Sequence, residues 1–270
     1  MDRPSEAAPE ARQRWRITFA RDAVDADRVG RAAIDAWNEA AVSSGLPIAR
    51  QPGDVGRPRM AFAAPLPAVA RGERELLDLW LLERLPAWQV RAALGPCLPV
   101  SHHWVDAEDV WLGAPALAGQ VAAADWRIEL DGVATDDDRL RLARAVEGLD
   151  GAASIPRVRV KGTAEKTYDL RPLLLGVGLE SGDAGPVVLR ARTRFDPAVG
   201  AGRPDEVVGA VADATGLALA AREMTRTRLL LADELDRPAN PAPAGPRPRM
   251  PARPSSRQSR APGSARPGRN

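Results

Sequence analysis

Two short segments of this chain, 111 positions apart, repeat one another, and that repeat constrains the fold more than any other feature. RWRITF and DWRIEL align Trp15, Arg16, Ile17 and Phe19 with Trp126, Arg127, Ile128 and Leu130. Arg28 and Val29 then fall at the same offset as Arg139 and Leu140. In each segment the tryptophan, the isoleucine and the final apolar residue share one face of a period-2 strand. Each segment also precedes a helical pattern, so the elements that follow should repeat as well.

They do. After a first strand over 14–20, Val29, Ala33, Ala36, Trp37 and Ala40 space an apolar stripe along a helix from about Asp25 to Ser44, ended by Gly45. Strands are predicted near 58–64 and 75–83, then a short helix opening at Pro86, then a strand over 102–112. In the second half, Thr135 and Asp138 in TDDD mark a capping box for a helix through Leu149. Strands follow at 156–161, 172–180 and 187–195, then a helix from Arg203-Pro204 to Gly216 and a last strand in MTRTRLLL. The order βαββαβ, met twice, predicts an α+β protein of two tandem ferredoxin-like halves, residues 14–120 and 121–236. A disordered N-terminus, 1–13, and a disordered Arg/Pro-rich tail, 237–270, flank them.

Charge divides the chain at the same point. From Arg237 onward there are eight arginines and no acids, which leaves 30 basic against 36 acidic residues in the rest. With 25 prolines in the chain and no Val, Leu, Ile or aromatic residue in the tail, which has Met250 as its one large apolar side chain, the tail lacks the apolar groups that offset chain-ordering entropy. Its arginines suit nonspecific phosphate contact. One cysteine, Cys97, precludes an internal disulfide framework and fits a reducing compartment. No apolar run reaches membrane-spanning length and the first residues do not read as a signal peptide, so a cytoplasmic protein without membrane contact is expected.

Catalytic signatures are missing: no glycine-rich phosphate loop, no zinc-type cysteine or histidine spacing, no G-x-S-x-G elbow. His102 and His103 are neighbours on a strand and point to opposite faces, which prevents joint chelation. No cofactor, metal or catalytic residue is predicted. Strand alternation is more informative. Arg157, Arg159 and Lys161 share one face of their strand, as do Arg190, Arg192 and Arg194, and Arg226 and Arg228; Arg127 adds to them in DWRIEL. If the apolar faces are buried, nine basic side chains line the open face of one sheet, a surface for RNA or another polyanion. No aromatic falls in these rows, so base stacking is not expected. Two loops add candidates: PGDVGRPRM, with Arg57 and Arg59 as an anion site, and EKTYDLRP, with Lys166, Tyr168, Asp169 and Arg171. An Asp169–Arg171 ion pair is the plain reading of the second.

The ordered set RWRITF, SGLPIA, PRMAFAAPLP, ERELLDLWLLERLP, DVWLGAPAL, KTYDLRPLLLGV and RPDEVVGAV resembles the radical-SAM-linked bacterial proteins, a domain of unknown function. Members of that family occur alone or fused behind a radical-SAM enzyme. The family's Ser-His pair near the first helix is missing from Arg21–Arg31, and its Gly-Phe-x-Pro-His-Pro is replaced by PGDVGRPRM. Lys166, Tyr168, Asp169 and Arg171 match its K-x-Y-D-[IL]-R segment. The resemblance implies a noncatalytic accessory protein for a separately encoded radical-SAM enzyme. With the basic face and tail it suggests an RNA substrate and translation-related RNA modification. An enzyme acting on a small anionic metabolite, or a protein–protein adaptor, are the alternatives; a concave pocket between the halves would favour the enzyme and a flat basic face would favour binding.

Overall fold

In the computed structural model, residues 9–161, 164–180 and 186–235 are described. Strand β1 (Gln13–Arg21) buries Trp15, Ile17 and Phe19 on one face, as their alternation requires. A short 3-10 turn follows, and α1 (Arg31–Ser43) starts later than the apolar stripe suggests. Gly30 explains the delay: at φ 61° it breaks the helical backbone, a conformation open chiefly to glycine. Next come β2 (Arg50–Gln51), β3 (Asp54–Pro58), β4 (Met60–Phe62), β5 (Ala70–Leu81), α2 (Ala87–Leu94) and β6 (His102–Val110).

After α3 (Leu117–Gln120), the second half opens with β7 (Val121–Asp131) and α4 (Asp136–Asp150). Thr135 accepts from the Asp138 N–H at 3.1 Å and Asp138 accepts from the Thr135 N–H at 3.0 Å, the reciprocal cap that TDDD predicts. Then follow β8 (Pro156–Lys161), β9 (Ala164–Asp169), β10 (Leu174–Leu179), β11 (Val187–Asp196), β12 (Gly200–Ala201), α5 (Pro204–Thr215) and β13 (Ala220–Leu231). Pro204 occupies the first turn of α5, and Gly216 ends that helix at φ 69°.

The main sheet runs β10-β11-β7-β13-β5-β1-β6, with β4 on β5 and β12 on β11. Within each half the first strand lies between the third and fourth, and the second lies outside the third. This is the ferredoxin-like order, twice. Trp15 and Trp126 occupy corresponding central strands and are both buried. The halves merge because β4 covers only residues 77–79 of β5, leaving the other end of that edge for β13. There Met224, Thr225 and Arg226 pair in parallel with Ala70, Arg71 and Gly72. The segment from Ala63 to Ala70 packs into the second half's core, and all described residues fall within one contact unit. No helix among them is long and apolar enough to cross a membrane.

Three expectations are corrected. The strand with Arg157, Arg159 and Lys161 does not join the main sheet: β8 and β9 form a separate hairpin inserted between α4 and β10. Arg226 and Arg228 do not share a face, because a β-bulge between them slips the register from Trp126 to Asp125. Arg226 therefore joins the buried side beside Trp126. The paired strand of Arg192 shows the third: Asp125 neutralises it, and only 7% of its surface is exposed. The continuous basic face is thereby broken up. The 237–270 tail and residues 1–8 lie outside the described residues.

Candidate binding pocket

Beneath the helix-bearing side of the sheet, segments far apart in sequence close around a pocket of about 340 Å³. Strand β1 supplies Phe19 and Arg21; the turn before α1 supplies Val29 and Gly30; α1 itself contributes Ile34 and Trp37. The end of β4 and the segment after it add Phe62 through Leu66, β5 adds Glu75, and β6 adds His102. Its walls are thus largely aliphatic and aromatic: Phe19 lies 4.8 Å from Trp37, and Phe62 lies 5.9 Å from it, centroid to centroid.

The floor is charged and buried. A register shift in the β1–β5 ladder, where Phe19 pairs with Glu75 but Arg21 with Gly72, turns Arg21 toward the Leu66–Ala70 segment. Its guanidinium donates to the carbonyls of Leu66, Pro67 and Ala70 at 3.3, 2.5 and 2.8 Å. Gly72 has no side chain because none would fit: a Cβ there would meet the Glu75 carboxylate at 2.5 Å. Arg226 donates through Nε to Glu75 Oε1 at 2.9 Å and through Nη2 to Oε2, and it also reaches the carbonyls of Ala64 and Pro65. Both Glu75 oxygens are therefore engaged. Burial, first, and then the neighbouring Arg226 charge pull the Arg21 pKa down, against the attraction of Glu75. His102, edge-on to the Trp37 ring at 5.6 Å, is held below the ordinary histidine range by desolvation, so the neutral ring is favoured.

A second, polar cleft of about 390 Å³ lies on the opposite side of the sheet, where the halves meet. It mixes Arg16, Arg74 and Arg228 with Asp106, Glu108, Asp233 and Glu234. Arg16 is tied to Asp78 at 2.9 Å and Arg228 to Glu234 at 2.7 Å, so the cleft presents no net basic surface. Beside it the sheet is covered, since Arg14 donates to Asp78 and to the carbonyls of Ala114 and Pro115.

The residues singled out in the sequence distribute as follows. Arg190 pairs with Glu180 at 2.9 Å, and Arg127 with Glu129 at 2.8 Å; Arg194 is exposed. Arg157 reaches across to Asp213 on α5, away from the main sheet's other face. The side chains of Arg159, Lys161 and Lys166 lie outside what is described. Arg59 stacks its guanidinium 4.6 Å from the Trp80 ring, while Arg57 is exposed in β3. In YDLR, Asp169 makes no ion pair with Arg171: it accepts the backbone N–H groups of Ile155 and Arg171 at 2.7 and 2.9 Å, and Arg171 donates to the Leu174 carbonyl. These bonds fasten the base of the β8–β9 hairpin. Tyr168 packs against the second core. Of the singled-out residues only Arg226 comes to the helix-side pocket, paired with Glu75 at its floor. The other two floor charges, Arg21 and Glu75, were hinted at only as charged residues standing in otherwise apolar strands.

A model of a family of uncharacterized proteins conserved in bacteria, DUF2344, matches residues 31–199, well over half of the chain. The chain belongs to this family. No curated protein sequence matches it. Among solved structures, a Cbf5-Nop10-Gar1 complex chain is similar at 10% identity and a TM-score of 0.46, covering 84% of this chain and 51% of that one. A chain of the archaeal box H/ACA sRNP Nop10-Cbf5 complex is similar at 9% identity and a TM-score of 0.39, covering 78% and 47%. The DUF2344 chain thus spans about half the length of these solved chains, and both scores are too low to carry fold or function across.

Proposed function

We propose that this DUF2344 protein is a noncatalytic accessory protein of a radical-SAM system, holding a small ligand of that system in the helix-side pocket. One observation carries the pocket reading: three segments on which the family resemblance rests, RWRITF, PRMAFAAPLP and ERELLDLWLLERLP, send Phe19, Phe62 to Leu66 and Glu75 there from separate parts of the chain. Within the pocket Glu75 is engaged at both oxygens and Arg21 is fixed by backbone carbonyls. A carboxylate and a guanidinium held in this way orient a ligand better than they transfer protons. The radical-SAM partnership itself rests on the sequence resemblance.

The test is to purify the chain with the radical-SAM enzyme encoded in the same genome and measure that enzyme's SAM cleavage with and without it. Association together with a change in turnover, both diminished by Ile34→Glu at the pocket mouth, is expected. Absence of association and of any effect on turnover would remove the accessory reading.

A second reading, an RNA partner, is favoured by the eight arginines after residue 236 and not by the sheet, where Arg192, Arg226 and Arg228 are paired with acids. Comparing the salt dependence of RNA affinity for the full chain and for a chain ending at Asp236 checks it. Retention of full affinity after truncation would exclude the tail.

A further inference from the structure

The charges at the pocket floor do not balance. Two buried guanidinium groups, Arg21 at 7% exposure and Arg226 at 1%, face a single buried carboxylate, Glu75. Glu75 gives both its oxygens to Arg226. Arg21 is left with backbone carbonyls, neutral acceptors that satisfy hydrogen bonds without cancelling charge, and its Nε meets no acceptor. Of the other titratable groups near this floor, His102 adds no negative charge, and Asp22 is turned outward to Arg71 and His103. Two buried positive charges that share a single carboxylate leave one in excess, which is costly, and an anion arriving from solvent would relieve that cost. Above this floor the walls are largely apolar, with Val29, Ala33 and Ile34 on one side and Phe62 and Ala64 on the other, and His102 the one polar side chain among them. The volume, about 340 Å³, lies in the range of small-molecule sites.

From this juxtaposition we infer that the pocket binds an amphipathic anion, a small molecule with an apolar body and one carboxylate or phosphate group directed at Arg21. The inference rests on the pocket reading above and adds the ligand's chemical class. The apolar body lies along α1, and the mouth is formed by Gly30, which leaves the entrance open, and by half-exposed Ile34.

The experiment measures, by calorimetry on the full chain, binding of four probes sharing one alkyl body: octanoate, octyl phosphate, octanamide and octylammonium. Either anion should bind at least about tenfold more tightly than the amide, the scale of one charge-assisted hydrogen bond. Whichever anion binds tighter identifies the source of the charge as carboxylate or phosphate. Ile34→Glu, an exposed substitution that leaves the core intact, should weaken the anions about fivefold or more beyond its effect on octanamide, by placing a like charge at the mouth. Equal affinity for amide and anions, or a preference for octylammonium, overturns the anion class and leaves the pocket standing. Binding of none of the four overturns the pocket and the anion class together. Anion binding unchanged in Ile34→Glu places the site elsewhere and overturns the inference.

Discussion

Arg226, on the last strand, forms a buried two-pronged ion pair with Glu75, on the third strand of the other half, 151 positions earlier in the chain. The pair sits where β13 runs parallel to β5, and the guanidinium also lies 5.6 Å from the Trp126 ring. It therefore connects the seam between the halves to the repeat that opens the second one.

Removing one member strands the other in a low-dielectric site. Glu75→Gln or Arg226→Met should each cost about 3–5 kcal/mol in urea denaturation. The double variant Glu75→Leu/Arg226→Met should recover a large part of that loss. Equal losses for the singles and the double would mean that packing, and not the charge pair, sets the cost.

On the opposite side, Asp78 is fully buried between Arg14 and Arg16, which approach it at 2.5 and 2.9 Å. Asp78→Asn leaves two guanidinium groups without a counter-charge. A loss of about 3 kcal/mol or more is expected, measured as a fall in the denaturation midpoint at constant slope. A neutral result would show that the Ala114 and Pro115 carbonyls suffice for Arg14.

Thr135→Ala removes the hydroxyl that accepts from the Asp138 N–H and should destabilise the fold by about 1 kcal/mol. Thr135→Ser keeps the acceptor and should restore stability. A Ser variant as weak as Ala would point to the lost methyl group instead.

Asp169 carries a pH dependence of known sign. The N–H of Ile155, first, and that of Arg171 hold its carboxyl below the usual aspartate range. The unfolded chain therefore takes up the proton at higher pH than the folded one. The stabilisation is complete above the ordinary aspartate pKa and is lost as pH falls toward the lowered one. Asp169→Asn keeps an oxygen acceptor but cannot titrate. Stability measured from pH 6 to pH 3 should fall less steeply in the variant than in the parent chain; superimposable profiles would remove Asp169 from the acid limb.

What was legible in the sequence was local. The paired WRI strands, the TDDD cap, Pro204 at the start of α5 and Gly216 at its end are set by neighbours within a few residues, where steric and hydrogen-bonding preferences act directly. Two ferredoxin-like halves follow from the order of such elements. Periodicity could not reveal the bulge between Arg226 and Arg228, because a one-residue slip turns a side chain to the other face without altering the spelling of the strand. It could not show that β8 leaves the sheet, since partner strands are chosen by long-range contacts. Arg226 reads as a solvent-facing charge, and Arg21 and Glu75 carry no local sign of burial, until the Ala63–Ala70 segment covers them and supplies carbonyl acceptors to the two arginines. The sequence by itself determined the repeat, the caps and the charge division at residue 236. The tertiary structure alone decided which arginines are spent on buried acids and which charge is left over, because burial and counter-charge depend on segments that meet only when the sheet closes.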